Sequence, residues 1–208
     1  TEVRALAKKI GLNTAEKKDS QGLCFIGKVK LPVFLQQQLK PKKGKVIEID
    51  GNHKTFKFYN NPHSAYALDS SMGKIVGEHE GAHYFTIGQR KGLNIGGTPL
   101  PLFIIGTDTT ENVIYVGQGE DHPGLFRKGL TVKNDDVHWL REDLKLQAEE
   151  SDDYLCRIRY RQALTEANLI QKNNELLITF NKPQRGITPG QFVAWYKNDE
   201  LIGSGVIN

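Results

Sequence analysis

The chain has 208 residues, 38% of them apolar and 25% charged, which predicts a folded protein of one large or two small domains. Its two cysteines stand 132 positions apart (24 and 156) and form neither a CxxC pair nor a disulfide framework, and there is no signal peptide and no apolar run of spanning length, so a soluble, reducing, cytoplasmic setting is expected. The net charge of +4 conceals an asymmetry: residues 1–60 carry 13 Lys/Arg against 5 Asp/Glu (+8), while residues 61–208 carry 15 against 19 (−4).

The first predicted element is a short amphipathic helix over residues 2–10, with apolar Val3, Leu6, Ala7 and Ile10 at helical spacing and Gly11 where a C-cap belongs. It has nothing before it to pack on and no initiator Met, so it reads as the tail of a domain removed upstream. Cys24 follows a polar, Gly-bearing run, Lys18-Asp19-Ser20-Gln21-Gly22, and precedes apolar Phe25-Ile26. That places a thiol at the edge of a turn, where Lys17, Lys18 and Lys28 favour the thiolate; a small buried hydrophobe is the competing reading. Lys40-Pro41-Lys42-Lys43-Gly44-Lys45 is either a solvated loop or a phosphate-facing patch.

From Leu23 onward, strands are expected at 23–26, 45–49, 54–59, 83–87, 102–107, 112–116, 129–133, 154–161, 175–180, 191–196 and 201–207, with helix only at 31–39 and at 163–169. So many short strands point to small barrels, and the best boundary lies near Asp121-His122-Pro123-Gly124.

Four segments could carry chemistry. His79-Glu80-Gly81-Ala82-His83 matches the HExxH zinc pattern, but glycines at 77, 81 and 88 argue against the helix that pattern needs, so no metal is expected. Gly88-Gln89-Arg90-Lys91-Gly92 suits a loop whose backbone approaches phosphate closely, and equally a glycine-rich connection. In Tyr154–Gln162 a period of two sets Cys156 on a packed face and Arg157, Arg159 and Arg161 on the other, opposite either carboxylates or a phosphate backbone. Ile187-Thr188-Pro189-Gly190-Gln191 reads as a type II turn leading into a strand.

Taken together, Lys18–Gly27, Gly77–Gly81 with Phe85–Leu93, Arg159-Tyr160-Arg161-Gln162 and Ile187–Gln191 resemble, in order, the tRNA-specific 2-thiouridylases of the MnmA/TrmU type. The resemblance implies a mainly β fold: residues 1–22 as the tail of a missing ATP-pyrophosphatase domain, 23–122 as a central β-rich domain, and 123–208 as a C-terminal β-barrel. No Ser-Gly-Gly-Val-Asp-Ser phosphate loop occurs in these 208 residues, and residues 52–73 look inserted, with no readable purpose. The resemblance also implies that ATP adenylates the C2 oxygen of the wobble uridine and that a persulfide on Cys24 delivers sulfur in its place. Cys24 would later form a disulfide with a cysteine of the missing domain. Arg159, Tyr160 and Gln191, with Gln89, Arg90 and Lys91, would contact tRNA. The partners implied are tRNA and a sulfur-donor protein, either a cysteine desulfurase or a sulfur-relay protein, with no membrane and a monomeric state. This fragment is expected to be inactive alone. A non-catalytic RNA-binding barrel module and a zinc hydrolase are the competing functions.

Overall fold

The computed structural model describes residues 2–17, 39–58 and 61–208. Cys24, the strand expected at 23–26 and nearly all of the helix expected at 31–39 lie outside the described residues. The chain divides into two compact units, residues 1–40 and 41–208.

In the first unit the expected helix forms as α1, Glu2–Lys9. Gly11 ends it at φ +73°, and its N–H donates to Lys8 O (3.1 Å) while that of Leu12 donates to Ala7 O (2.9 Å). These two bonds make a Schellman cap, which satisfies carbonyls the last turn would leave open.

The second unit is built on two sheets. The first has the order β2-β1-β4-β3, with β1 Gly44–Glu48, β2 Lys74–His79, β3 Leu102–Asp108 and β4 Val113–Gln118. β1 runs parallel to β4, and the two outer pairs are antiparallel. Both faces are buried, one under a cluster with Val46, Leu102, Ile104 and Ile114, the other under Ile47, Ile49, Ile105 and Tyr115.

The second sheet is antiparallel throughout, in the order β5-β9-β8-β7-β10-β11-β6. Its strands are β5 Phe126–Lys133, β6 Val137–Trp139, β7 Ser151–Arg157, β8 Thr165–Gln171, β9 Glu175–Arg185, β10 Phe192–Lys197 and β11 Glu200–Val206. It curls into a half-barrel: the chain beyond β11 returns to β5, where Asn208 N–H donates to Thr131 O (2.9 Å). The concave face holds Trp195, Phe180, Leu130, Leu169 and Ile178, all essentially inaccessible. The expected mainly β class with a short N-terminal helix is borne out.

Several local expectations are corrected. Residues 54–59 were expected as a strand; Lys54–Lys57 is instead a short helix, α2, capped by His53, whose Nδ1 accepts from Thr55 N–H (3.3 Å). The strand expected at 83–87 is a 3-10 turn over Ala82–Tyr84 followed by irregular chain, in which Thr86 N–H donates to Gln89 Oε1 (3.2 Å) rather than to a neighbouring strand. The helix expected at 163–169 is β8, paired on both sides by β7 and β9.

The segment 52–73 now has a physical role. Phe56 meets the rings of Tyr66 and His122 edge-on, each at 5.1 Å, and the Tyr66 hydroxyl donates to Phe126 O at the start of β5 (2.8 Å). Further along, His63 Nε2 pairs with Thr179 Oγ1 on β9 (2.8 Å). Its described parts, 52–58 and 61–73, form a strap that rests on the first sheet and is fastened to the second.

Candidate nucleic-acid interface

The strand expected at 154–161 stops at Arg157, so Arg157, Arg159 and Arg161 do not form one row on a strand face. After Ile158 the chain turns, closed by Gln162 N–H to Arg159 O (3.2 Å), with Arg161 at φ +68°. Gln162 holds the turn from beneath: its Oε1 accepts from Ile158 N–H (3.1 Å) and its Nε2 donates to Oε1 of buried Gln184 (2.8 Å). A rigid turn therefore carries Tyr160 at its tip, 87% exposed. The arginines find separate partners: Arg157 lies over the Tyr196 ring (4.7 Å), Arg161 over Tyr160 (5.3 Å), and Arg159 Nη2 donates to Gly186 O (3.0 Å).

Gly186 shows why that last contact needs glycine. Its φ is +70°, and a Cβ built there would lie 2.4 Å from Arg159 Nη2, so any side chain would displace the guanidinium. Its N–H donates to Leu125 O (2.7 Å), which fixes it beside the first sheet. The Gly88–Lys91 loop arrives at the same place. A Cβ on Gly88 would lie 3.7 Å from Arg159 Nη2, and the loop is pinned to β3 by Gly88 N–H to Ile104 O (2.7 Å) and Ile104 N–H to Gln89 O (3.0 Å). Gln89 spends its side chain inside the loop, accepting from Thr86 and donating to Lys91 O (2.7 Å), whereas Arg90 and Lys91 are exposed.

Gln191 closes the type II turn expected at Thr188–Gln191, with Gly190 at φ +80° and Gln191 N–H donating to Thr188 O (3.3 Å). Backbone bonds of 2.8 Å from Gly190 to Ile207 O and from Ile207 to Gln191 O anchor it to the barrel end. Arg159, Tyr160 and Gln191 line one groove of about 670 Å³ together with Arg157, Phe192 and Tyr196. Gln191 also borders a second cleft, of about 790 Å³, that runs between the two sheets past Thr86, Arg127 and Thr188. Sequence reasoning missed Phe192 and Tyr196, which it took simply as strand residues. Their signal is the alternation of β10, where Val193 and Trp195 are buried and Phe192, Ala194 and Tyr196 face outward.

Elsewhere, the basic run at 40–45 is held by its backbone. Asn112 Nδ2 donates to both Lys42 O and Lys43 O (2.9 Å each), leaving the side chains of Lys42, Lys43 and Lys45 exposed. His79 ends β2, buried, with Nδ1 accepting from Gly81 N–H (2.9 Å), while His83 is exposed in the following 3-10 turn. The two imidazoles thus do not share a helical face. Cys156 is fully buried in the barrel, and burial pushes its thiol up to about 12. Among the described residues no helix is long and apolar enough to cross a membrane.

Three family profiles match in sequence order: a tRNA methyl transferase HUP domain over residues 1–28, a tRNA methyl transferase PRC-barrel domain over 33–118, and an aminomethyltransferase beta-barrel domain over 127–207. Among similar proteins, the tRNA-specific 2-thiouridylase MnmA of Christiangramia forsetii is 52% identical over 219 positions, covering all of this chain and 55% of that protein. The MnmA of Flavobacterium johnsoniae is 53% identical with the same coverage, and that of Karelsulcia muelleri 48% identical, with 54% of it covered. The chain belongs to the tRNA-specific 2-thiouridylase family. It spans about half the length of the curated relatives it matches. The groove at the barrel end brings together the Arg159-Tyr160 turn and the Gln191 turn, and Gly88 of the Gly88–Lys91 loop stands beside the Arg159 guanidinium.

Proposed function

We propose that this chain is the central and C-terminal part of a tRNA 2-thiouridylase, with residues 23–122 and 123–208 as its two domains. It binds tRNA through Arg159, Tyr160 and Gln191, aided by Arg90 and Lys91 in a loop shaped by Gln89. One observation carries this reading: Gly88 and Gly186, far apart in sequence, both stand against the Arg159 guanidinium, and Tyr160 and Gln191 line the same groove as Arg159. In the whole enzyme ATP would transfer AMP to the C2 oxygen of the wobble uridine and release pyrophosphate. The terminal sulfur of a Cys24 persulfide then attacks C2, and AMP departs with the oxygen. A second thiolate attacks Cys24 Sγ, frees the thiocarbonyl and leaves a disulfide, which two electrons from a thiol reductant reset. A sulfur-donor protein would reload Cys24, and the enzyme would work as a cytoplasmic monomer. The 208 residues alone, with no phosphate loop in their sequence, would neither convert ATP to AMP nor thiolate tRNA.

Two measurements test the reading. Arg159→Ala should weaken tRNA binding and flatten its salt dependence by about one ion, as expected for loss of one phosphate contact; an unchanged slope would leave Arg159 a purely structural residue. Alkylation mapped by mass spectrometry should modify Cys24 well before Cys156. A thiol held near 12 is almost wholly protonated at neutral pH, and Cys156 is also walled off by the barrel core. If Cys156 reacts first in the folded chain, Cys24 is no sulfur carrier.

A further inference from the structure

The outer face of β10 is unlike that of an ordinary half-solvated strand. Antiparallel sheets with one face on a core usually turn polar residues to water, yet here Phe192, Ala194 and Tyr196 alternate outward while Val193 and Trp195 fill the barrel. Phe192 is 64% exposed, and Tyr160, on the braced turn that borders the same groove, is 87% exposed. Displaying two aromatic rings on rigid supports forfeits the burial each could gain in a core. Between Phe192 and Tyr196 the small Ala194 leaves the floor open, and β7 places Arg157 directly across from it (Ala194 pairs with Arg157), stacked on Tyr196. Among the described residues no acidic side chain lines the groove, which carries Arg157 and Arg159.

We propose that this groove is a stacking site for an unpaired nucleotide of the RNA, its base lying against Phe192 and Tyr160 and its phosphates meeting Arg157 and Arg159. The inference rests on the tRNA-binding reading above and adds the class of element recognised: a splayed-out base rather than a paired stem. Aromatic rings cannot enter a paired stack without breaking it, whereas a looped-out base offers a free π face to any ring presented to it. A volume of about 670 Å³ lies within the range of small-ligand sites and suits one nucleotide. Arginine complements both parts, the base by stacking and the phosphate by charge.

The test uses the 208-residue chain with three probes: a short single-stranded RNA carrying one 2-aminopurine, the same sequence as a blunt duplex, and a tRNA transcript. Binding should quench the 2-aminopurine of the single strand. Phe192→Leu and Tyr160→Leu, both at exposed positions and checked for native circular dichroism, should each weaken single-strand and tRNA binding about tenfold and affect the duplex far less, with Phe192→Tyr restoring affinity. Should the two leucine variants bind like the wild type while Arg159→Ala still weakens binding, stacking is wrong and the groove is left to a protein segment, although the tRNA reading survives. Equal losses on duplex and single strand would mean that the groove grips a paired backbone, which also overturns the proposal. If the wild-type chain binds none of the three RNAs, both readings fall together.

Discussion

In the four-stranded sheet, apolar clusters cover both faces, and the central strand β4 is buried without interruption from Val113 to Gly117. In the seven-stranded sheet the concave face is filled, so buried and accessible residues alternate along Asp153–Arg157 of β7, Glu175–Asn181 of β9 and Phe192–Tyr196 of β10. The first arrangement leaves few side chains to spare; its contribution to the candidate interface is a loop, Gly88–Lys91, hung from β3 by backbone bonds. The second leaves much of its convex face, apart from the strap's foothold at Thr179, for other work, and the exposed rings and guanidinium groups lie there or on the turns at its rim. A sheet buried on both sides serves as a support, and a sheet buried on one side can serve as a surface.

The largest effect that would sharpen this contrast comes from the barrel core. Trp195 is fully buried, meets Trp139 at 5.3 Å and packs so closely on Gly203 that a Cβ there would lie 2.6 Å from its ring. Trp195→Ala should cost about 3–5 kcal/mol, read as a lowered urea midpoint. The chain holds two tryptophans, at 139 and 195, both in the barrel, so Trp139 fluorescence remains in the variant as a barrel probe against circular dichroism of the whole. A loss under 1 kcal/mol would mean that the barrel is not the principal store of stability.

The sequence made this contrast partly legible. Short alternating or β-branched stretches announced β4 and five of the seven barrel strands, β5, β7, β9, β10 and β11, whereas β6 was not anticipated and β8 was expected as helix. β2 escaped because Gly77 interrupts its apolar pattern; a Cβ there would lie 2.7 Å from Ile95, so the glycine serves packing that only the fold reveals. At 54–59 the aromatic alternation of Phe56 and Phe58 suggested a strand, but the local His53 cap and the Asp50–Asn52 turn, with Asn52 N–H on Asp50 Oδ1 (2.7 Å), won. The arginine row failed for a similar reason. Gln162 bonding back to Ile158 ends the strand, and nothing in the spacing of the arginines signals that. The candidate site was reached through motifs and not through pattern, and the outward rings of β10 were hidden within an ordinary strand.

A smaller effect should separate the two sheets by pH. Burial holds His63, His79 and His122 below the ordinary histidine value; His122 is also fixed as a neutral ring, Nδ1 accepting from Gly124 N–H (3.1 Å) and Nε2 facing Ile49 O (3.1 Å). Asp50, Asp121 and Glu48 around His122, Glu175 near His63 and Glu80 near His79 oppose the shift, as do backbone hydrogen bonds to His79 and His122. With folded values depressed, the contribution is whole above the unfolded value of about 6.5 and is lost as pH falls from there through the folded values. All three residues belong to the strap or to the neighbourhood of the first sheet. The urea midpoint should therefore fall between pH 7.5 and pH 5, and His122→Gln should remove part of that slope. A flat midpoint over this range would show that the buried rings titrate freely.

The smallest effect addresses whether the two sheets unfold as one. Tyr66 stacks edge-on with Phe56 over the first sheet, while its hydroxyl donates to Phe126 O, at the head of β5, in the second (2.8 Å). Tyr66→Phe keeps the ring and its packing and removes only the donor, so the expected loss is about 1 kcal/mol, near the net worth of one hydrogen bond. Its informative readout is the coincidence of two curves. Tryptophan fluorescence reports the barrel, and far-ultraviolet circular dichroism reports both sheets; in the wild type, coupled through the strap at Tyr66 and His63, they should superimpose. Weakening the strap should draw them apart, with the barrel transition moving less because its core is self-contained. If Tyr66→Phe lowers both curves equally and leaves them superimposed, the coupling runs through other contacts between the sheets, such as Gly186 on Leu125 and Arg185 over the Phe103 ring, and not through the strap.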